Sequence, residues 1–177
     1  MANVIKYTIF QTSWGYFGIL GDDKAILRTS LPSASFKSAK AQLLKNNFSA
    51  ESGDFFTDIQ KMVKSYFEGS YVDFSQIKSI IPFEEFGDFT KRTYMACMDI
   101  AAGTTKSYLQ LARKVESPLH ARAVANCLAH NPLPLIVPCH RVIRSDGRLG
   151  GFSVPGGIRM KAKLLQFEQN CACGCYF

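Results

Sequence analysis

At 177 residues, 47% hydrophobic and 20% charged, the chain has the composition of a soluble globular protein with room for one large or two small domains. No apolar run approaches the roughly 20 residues that span a bilayer. Met1-Ala2-Asn3-Val4-Ile5-Lys6 lacks the basic-then-apolar pattern of a secretory signal, so an intracellular protein with six reduced cysteines is expected. The net charge of +7 lies wholly in the second half: residues 1–87 set nine Lys/Arg against nine Asp/Glu, and residues 88–177 set twelve against five. Such a field suits a polyanion, most simply nucleic acid, or else is a solvated basic face.

The N-terminal half begins with β-prone runs. Tyr7–Phe10 and Tyr16–Leu20 flank Trp14-Gly15, and Gly21-Asp22-Asp23 offers a turn before Ala25–Arg28, so a small antiparallel sheet is predicted. Ser35–Asn47 reads as a helix with Phe36, Ala39, Leu43 and Leu44 on one side. Asp54–Phe67 reads as a second, using Phe55, Ile59, Met62, Val63 and Tyr66. Residues 1–80 hold no catalytic spacing and read as an α/β scaffold. Tyr71–Pro82 reads as an extended connection.

A helix is expected from Asp88 to Ala101, with Phe89, Thr93, Ala96, Cys97 and Ile100 on one stripe and Gly103 ending it. Thr105–Lys114 gives a short helix, Glu116-Ser117-Pro118 a break, and Leu119–His130 another helix. Helix, break, helix in a basic region fits a helix-turn-helix, although ordinary helical hairpins look alike. Ala121, Ala125 and Ala129 recur every four residues beside Arg122 and Asn126. This row either packs on a neighbouring helix or lets the backbone approach a minor groove only about 6 Å wide.

Asn131-Pro132-Leu133-Pro134-Leu135-Ile136-Val137 then delivers Pro138-Cys139-His140-Arg141-Val142. Proline punctuation makes this a stiff loop or edge segment that aims Cys139. A thiol reacts as thiolate, and a neighbouring imidazole or guanidinium favours that form; the plainer reading is a small buried apolar residue. Ser145-Asp146-Gly147-Arg148 is a turn, and Gly150–Gly157 a mobile glycine-rich loop without the phosphate fingerprint, read as a pocket lip. Arg159–Gln169 is a terminal helix with Met160, Leu164, Leu165 and Phe167 as apolar positions. In the tail, Cys171, Cys173 and Cys175 could hold a soft metal, but a frayed end is expected.

Several pieces then fall into one order: Ser107-Tyr108-x-x-Leu111-Ala112, Arg122-Ala123-Val124, Asn131-Pro132, Pro138-Cys139-His140-Arg141-Val142-Ile143, Gly156-Gly157 and Leu164-Leu165-x-x-Glu168. Together they resemble the O6-alkylguanine-DNA alkyltransferases (methylated-DNA–protein-cysteine methyltransferases) over about residues 86 to 168. The resemblance implies an α+β, two-domain protein: 1–82 an α/β scaffold, 83–170 a winged helix-turn-helix-like catalytic and DNA-binding domain, and 171–177 a Cys-rich tail. It implies that Cys139 takes an alkyl group from guanine O6 once and keeps it. His140 would act as base, Glu168 would orient the imidazole, and Asn131 would brace the cysteine turn. Arg122 would fill the gap left by the extruded nucleotide, and Tyr108 would promote its rotation. Ala121, Ala125, Thr90, Ser117, Arg141 and Ser145 would also meet DNA. Val142, Phe152 and Ser153 would line the substrate pocket.

No cofactor or metal is implied, and the partner is double-stranded DNA containing O6-alkylguanine, bound by a monomer in the cytoplasm or, in a eukaryote, the nucleus. The chain departs from the family in its Val154-Pro155 insertion, in Phe152 for tyrosine and in Ala125 for glycine. Tyr94 and Lys163 stand for tryptophan and Ala101 for proline, and no cysteine in the N-terminal half could form the zinc site of some relatives. The alternatives are a relative that binds alkylguanine without repairing it, a winged-helix regulator with Cys139 as sensor, and a cysteine hydrolase. Such binding relatives lack the cysteine, and neighbouring positions on one loop are not the usual source of a hydrolase dyad.

Overall fold

The computed structural model describes residues 4–44, 49–116 and 120–172. The chain divides into two compact units, Met1–Val72 with Ser79–Pro82, and Asp73–Lys78 with Phe83–Phe177.

In the first unit, β1 (Lys6–Thr12), β2 (Gly15–Gly21) and β3 (Ile26–Ser33) pair antiparallel in sequence order. The first hairpin closes with Thr12 opposite Gly15. Gly15 has φ +118, and a Cβ there would collide with the Ser33 carbonyl, so only glycine fits. In the second turn the Asp22 carboxylate accepts from the Lys24 and Ala25 amides at 2.7 and 2.8 Å. Helix α1 (Phe36–Leu43) is capped by the Ser35 side chain and buries Ala39 and Leu43. Leu43 packs with Tyr7 and Leu20 of the sheet.

Four expectations change here. Phe36, placed on the apolar side of its helix, is 45% exposed and instead meets the Tyr16 ring edge-on. The helix stops at Leu43, and the remainder of the expected span, 45–47, lies outside the described residues. A two-residue strand β4 (Glu51–Ser52) pairs parallel with β1, so the sheet is mixed, in the order β3-β2-β1-β4. Helix α2 (Thr57–Phe67) starts three residues later than expected, because Phe56 takes a left-handed conformation (φ 50) that breaks the helical run; Phe55 is buried ahead of it.

The predicted extended connection is instead wound into short 3-10 turns, Phe74–Ile80 and Phe83–Glu85, which bury Phe74, Ile77 and Phe83. In the second unit α3 (Asp88–Met98) buries Thr93, Tyr94, Ala96, Cys97 and Met98. It ends three residues before Ala101, and Gly103 (φ 75) belongs to the turn that follows. A strand β5 (Lys106–Ser107) comes next. Then α4 (Tyr108–Lys114) opens on a capping box in which Ser107 and Gln110 satisfy each other's backbone amides at 3.1 and 2.7 Å. Ser117, Pro118 and Leu119 lie outside the described residues. Helix α5 (Ala121–Ala129) buries Val124 and Leu128, leaving Arg122 and Asn126 exposed.

The proline-rich run is a buried loop rather than a sheet edge: Leu133 to Val137 are all buried, with Leu135 at φ 79. It runs into one 3-10 turn, Cys139–Arg141, and then β6 (Val142–Ile143), which pairs parallel with β5. Helix α6 (Gly157–Ala172) begins two residues before and ends three residues after the expected span, so Cys171 sits in its last turn rather than in a frayed tail. Cys173 and Cys175 lie outside the described residues. Lys161, Leu164, Leu165 and Glu168, spaced i, i+3, i+4 and i+7, form its buried stripe. The whole is an α+β protein.

Candidate active site

Asn131, just past the end of α5, fixes the loop that carries the cysteine. Its side-chain oxygen accepts from the Leu133 amide at 3.0 Å, while its amide nitrogen donates to the Val137 carbonyl at 2.8 Å and to Cys139 Sγ at 3.2 Å. The Cys139 amide in turn donates to the Val137 carbonyl at 2.8 Å. One side chain therefore closes both ends of an eight-residue excursion onto the sulfur. Cys139 is only 7% exposed, yet it forms part of the wall of a cavity of about 220 Å³. Tyr108, Ala125, Leu128, Ala129, Gly151, Phe152 and Ser153 complete that wall. Burial pushes the Cys139 thiol up, against the Asn131 hydrogen bond, the Lys161 charge and nearby backbone amides, so the resting sulfur is protonated near neutral pH.

His140 is completely buried, and its Nε2 lies 2.9 Å from Glu168 Oε1. Burial raises the cost of the Glu168 acid's charge, but hydrogen bonds and charges from His140 and Arg141 outweigh this and hold the carboxyl well below its usual range. A carboxylate can only accept, so Nε2 carries the hydrogen and Nδ1 presents a lone pair. Nδ1 is buried and has no hydrogen-bond partner in the protein. Burial also pushes His140 down, against the pull of Glu168 and with the help of the Arg141 and Lys161 charges, so the imidazole rests neutral. The neutral imidazole follows the thiol in the chain, and no hydrogen bond joins its Nδ1 to Cys139 Sγ.

Arg141, expected to face DNA, does not. It is 5% exposed, and its guanidinium is committed to Glu168 (Nε at 3.1 and 3.0 Å, Nη2 at 2.8 Å) and to the Ile100 carbonyl (Nη1 at 2.6 Å). The Gly103 amide adds a further donor to Glu168 at 3.1 Å. The cause is electrostatic: a buried carboxylate needs a cation, and Arg141 satisfies it bidentately.

The other expected residues are scattered by role. Arg122 and Ser145 are exposed, Thr90 on α3 and Ala121 are half-buried, Ala125 lines the cavity, and Ser117 lies outside the described residues. Phe152 and Ser153 reach the cavity despite the Val154-Pro155 insertion, which is absorbed in a turn closed by the Gly157 amide and the Val154 carbonyl at 2.9 Å. The Val142 side chain is buried, and its carbonyl accepts from Lys161 Nζ at 2.6 Å. Lys161 has no place among the expected site residues. The signal was a lysine on the apolar stripe of α6. Among the described residues no group of three His, Cys, Asp or Glu is placed to hold a metal ion, and no helix is long and apolar enough to cross a membrane.

Residues 88–170 match the family model described as 6-O-methylguanine DNA methyltransferase, DNA binding domain. A methylated-DNA–protein-cysteine methyltransferase of Methanosarcina acetivorans is 30% identical over 165 residues, covering 93% of this chain and 99% of the relative. One from Sulfurisphaera tokodaii is 38% identical over 165 residues, covering 93% and 94%. The crystal structure of Mycobacterium tuberculosis OGT in complex with DNA superposes with a TM-score of 0.71 at 27% identity, covering 94% of each chain. Near-complete coverage in both directions extends the likeness through the N-terminal unit, where the sequence carried no motif. The chain belongs to the methylated-DNA–protein-cysteine methyltransferase family.

Proposed function

We propose that this protein repairs O6-alkylguanine in double-stranded DNA by moving the alkyl group to Cys139, once per molecule. The observation that carries this reading is the thiol on the cavity wall beside a buried imidazole whose one free nitrogen, Nδ1, lacks a partner. In the reaction His140 Nδ1 takes the thiol proton through a bridging water, since no hydrogen bond joins it to Cys139 Sγ, and Glu168 steadies the imidazolium. The sulfur attacks the alkyl carbon, the S–C bond forms, and the C–O6 bond breaks with its electrons passing to guanine. The guanine anion takes up one proton, equivalent to the one lost from the thiol. The sum is thiol plus O6-alkylguanine giving thioether plus guanine, and no step regenerates the thiol.

The O6 atom lies inside the duplex, so the nucleotide must leave the stack, at about a few kcal/mol and less for a damaged pair. Arg122, exposed on α5, fills the vacated space. Ala121, Ala125 and Ala129 keep that helix slim enough to enter the minor groove. Tyr108, on the cavity wall, meets the extruded base. Titration with duplex carrying O6-methylguanine tests the reading. Repaired guanine should rise with added DNA and stop at one equivalent per protein; continued turnover or no repair would refute it.

A further inference from the structure

Lys161 on α6 has no exposed surface, although a lysine is seldom sealed without a counter-charge. Its Nζ donates to the Val142 carbonyl at 2.6 Å and stands 5.6 Å from the centre of the Tyr108 ring. Among the described residues no carboxylate pairs with it; the one acidic group on the same buried stripe, Glu168, is engaged by His140, Arg141 and Gly103. The ionisable groups in its field are Cys139 and His140 on the 3-10 turn, Cys97 on α3 and Tyr108 on α4. Only a thiol among these can become an anion near neutral pH. Cys97 is sealed and its thiol is pushed well up by burial, which leaves Cys139, on the cavity wall, as the group that ionises. The ammonium, held against the Val142 carbonyl and over the Tyr108 ring that shares the cavity wall with Cys139, meets a counter-charge only while the thiolate exists.

We infer that Lys161 is a positioning residue for the transfer: its ammonium stabilises the Cys139 thiolate as it forms and attacks, while its contacts hold the Val142 carbonyl and the Tyr108 ring in place. The inference rests on the thiol-transfer reading above. An interaction present with the thiolate and absent with the thiol lowers the barrier without strengthening the resting state. The resting state carries the cost instead. Burial holds the ammonium down to about 8, against the opposing pull of the two cysteine sulfurs. Because the folded value lies below the unfolded one, the charged lysine costs stability in full below about 8, and that cost fades as the pH rises from there to the ordinary 10.5. A lysine kept for structure would show the opposite balance.

The test compares wild type, Lys161→Met and Lys161→Arg, with free O6-benzylguanine as a probe that bypasses DNA binding. Rates of Cys139 alkylation are read by mass spectrometry from about pH 6 to about pH 10, with thermal unfolding in parallel. Near pH 7 Lys161→Met should react about tenfold or more slowly, the change one unit of thiol pKa produces, while unfolding no earlier than wild type. Its deficit should shrink above about pH 8, where the wild-type lysine also loses its charge, and Lys161→Arg should recover part of the rate. Wild type alone provides a second readout, an inflection in its rate near pH 8 that a lone titrating thiol lacks. An unchanged rate and pH profile in Lys161→Met would overturn the inference. So would a slower rate that keeps the wild-type profile and follows a loss of thermal stability. Wild type that takes no benzyl group on Cys139 would instead remove the transfer reading itself.

Discussion

Replacing Glu168 by Gln probes the network behind the sulfur, and its effect can be worked from the contacts. The carboxylate accepts from His140 Nε2, Arg141 Nε and Nη2, and the Gly103 amide, all at 2.8–3.1 Å. Gln keeps one acceptor oxygen and turns an NH2 toward donors. With the amide oxygen at the Oε1 position, the Gly103 amide and one Arg141 Nε contact lose their acceptor, and the guanidinium, 5% exposed, becomes an uncompensated charge. Breaking a buried pair from one side costs about 3–5 kcal/mol. Glu168→Gln should therefore lower the unfolding free energy in urea by that amount and slow Cys139 alkylation. The double variant Glu168→Gln, Arg141→Met removes the stranded charge and should recover at least about 2 kcal/mol while staying slow. The acid limb adds a second readout. The folded carboxyl sits below its ordinary 4.5, so its stabilisation is complete above that pH and is lost as the pH falls through the lower folded value. The single variant should flatten that fall. A Glu168→Gln protein within about 1 kcal/mol of wild type would refute the reasoning, because that is what an exposed pair is worth.

Two other substitutions separate recognition from chemistry. Arg122→Ala removes an exposed side chain and should change stability by no more than about 0.5 kcal/mol. It should slow repair of duplex DNA and spare reaction with free O6-benzylguanine; equal losses in both assays would make Arg122 structural. Gly150 has φ 74, and a Cβ there would lie 3.2 Å from the Tyr108 ring and hydroxyl. Gly150→Ala should cost about 1–2 kcal/mol from left-handed strain and slow repair by displacing Tyr108; unchanged melting would contradict the strain, and unchanged repair the contact.

Much of the site was legible because its residues are neighbours in sequence or carry turn chemistry. The proline-stiffened loop that aims Cys139 is a local event and was read from its residues, whereas the Asn131 brace on it came from the family resemblance. The α3 stripe was legible from its helical period. Arg141 was placed on DNA by the family resemblance, and nothing local to it in the cationic half argued otherwise. Only the fold brings Glu168 and the Ile100 carbonyl, from two distant segments, around its guanidinium. Lys161 was passed over for the same reason: its spacing marks a core position, and its residue type argues for solvent. In the N-terminal unit β4 is two polar, exposed residues, held by pairing with β1 rather than by any apolar pattern. The turns at Phe74–Ile80 and Phe83–Glu85 bury three side chains spaced too irregularly to announce a helix.

The central claim is that one sulfur accepts one alkyl group and holds it. Intact-protein mass spectrometry after incubation with duplex O6-methylguanine, followed by peptide mapping, tests it most directly. A gain of a single methyl group, located on Cys139 and absent from Cys139→Ser, is the predicted result. An unchanged mass beside repaired DNA, or a methyl group on any other residue, would contradict it.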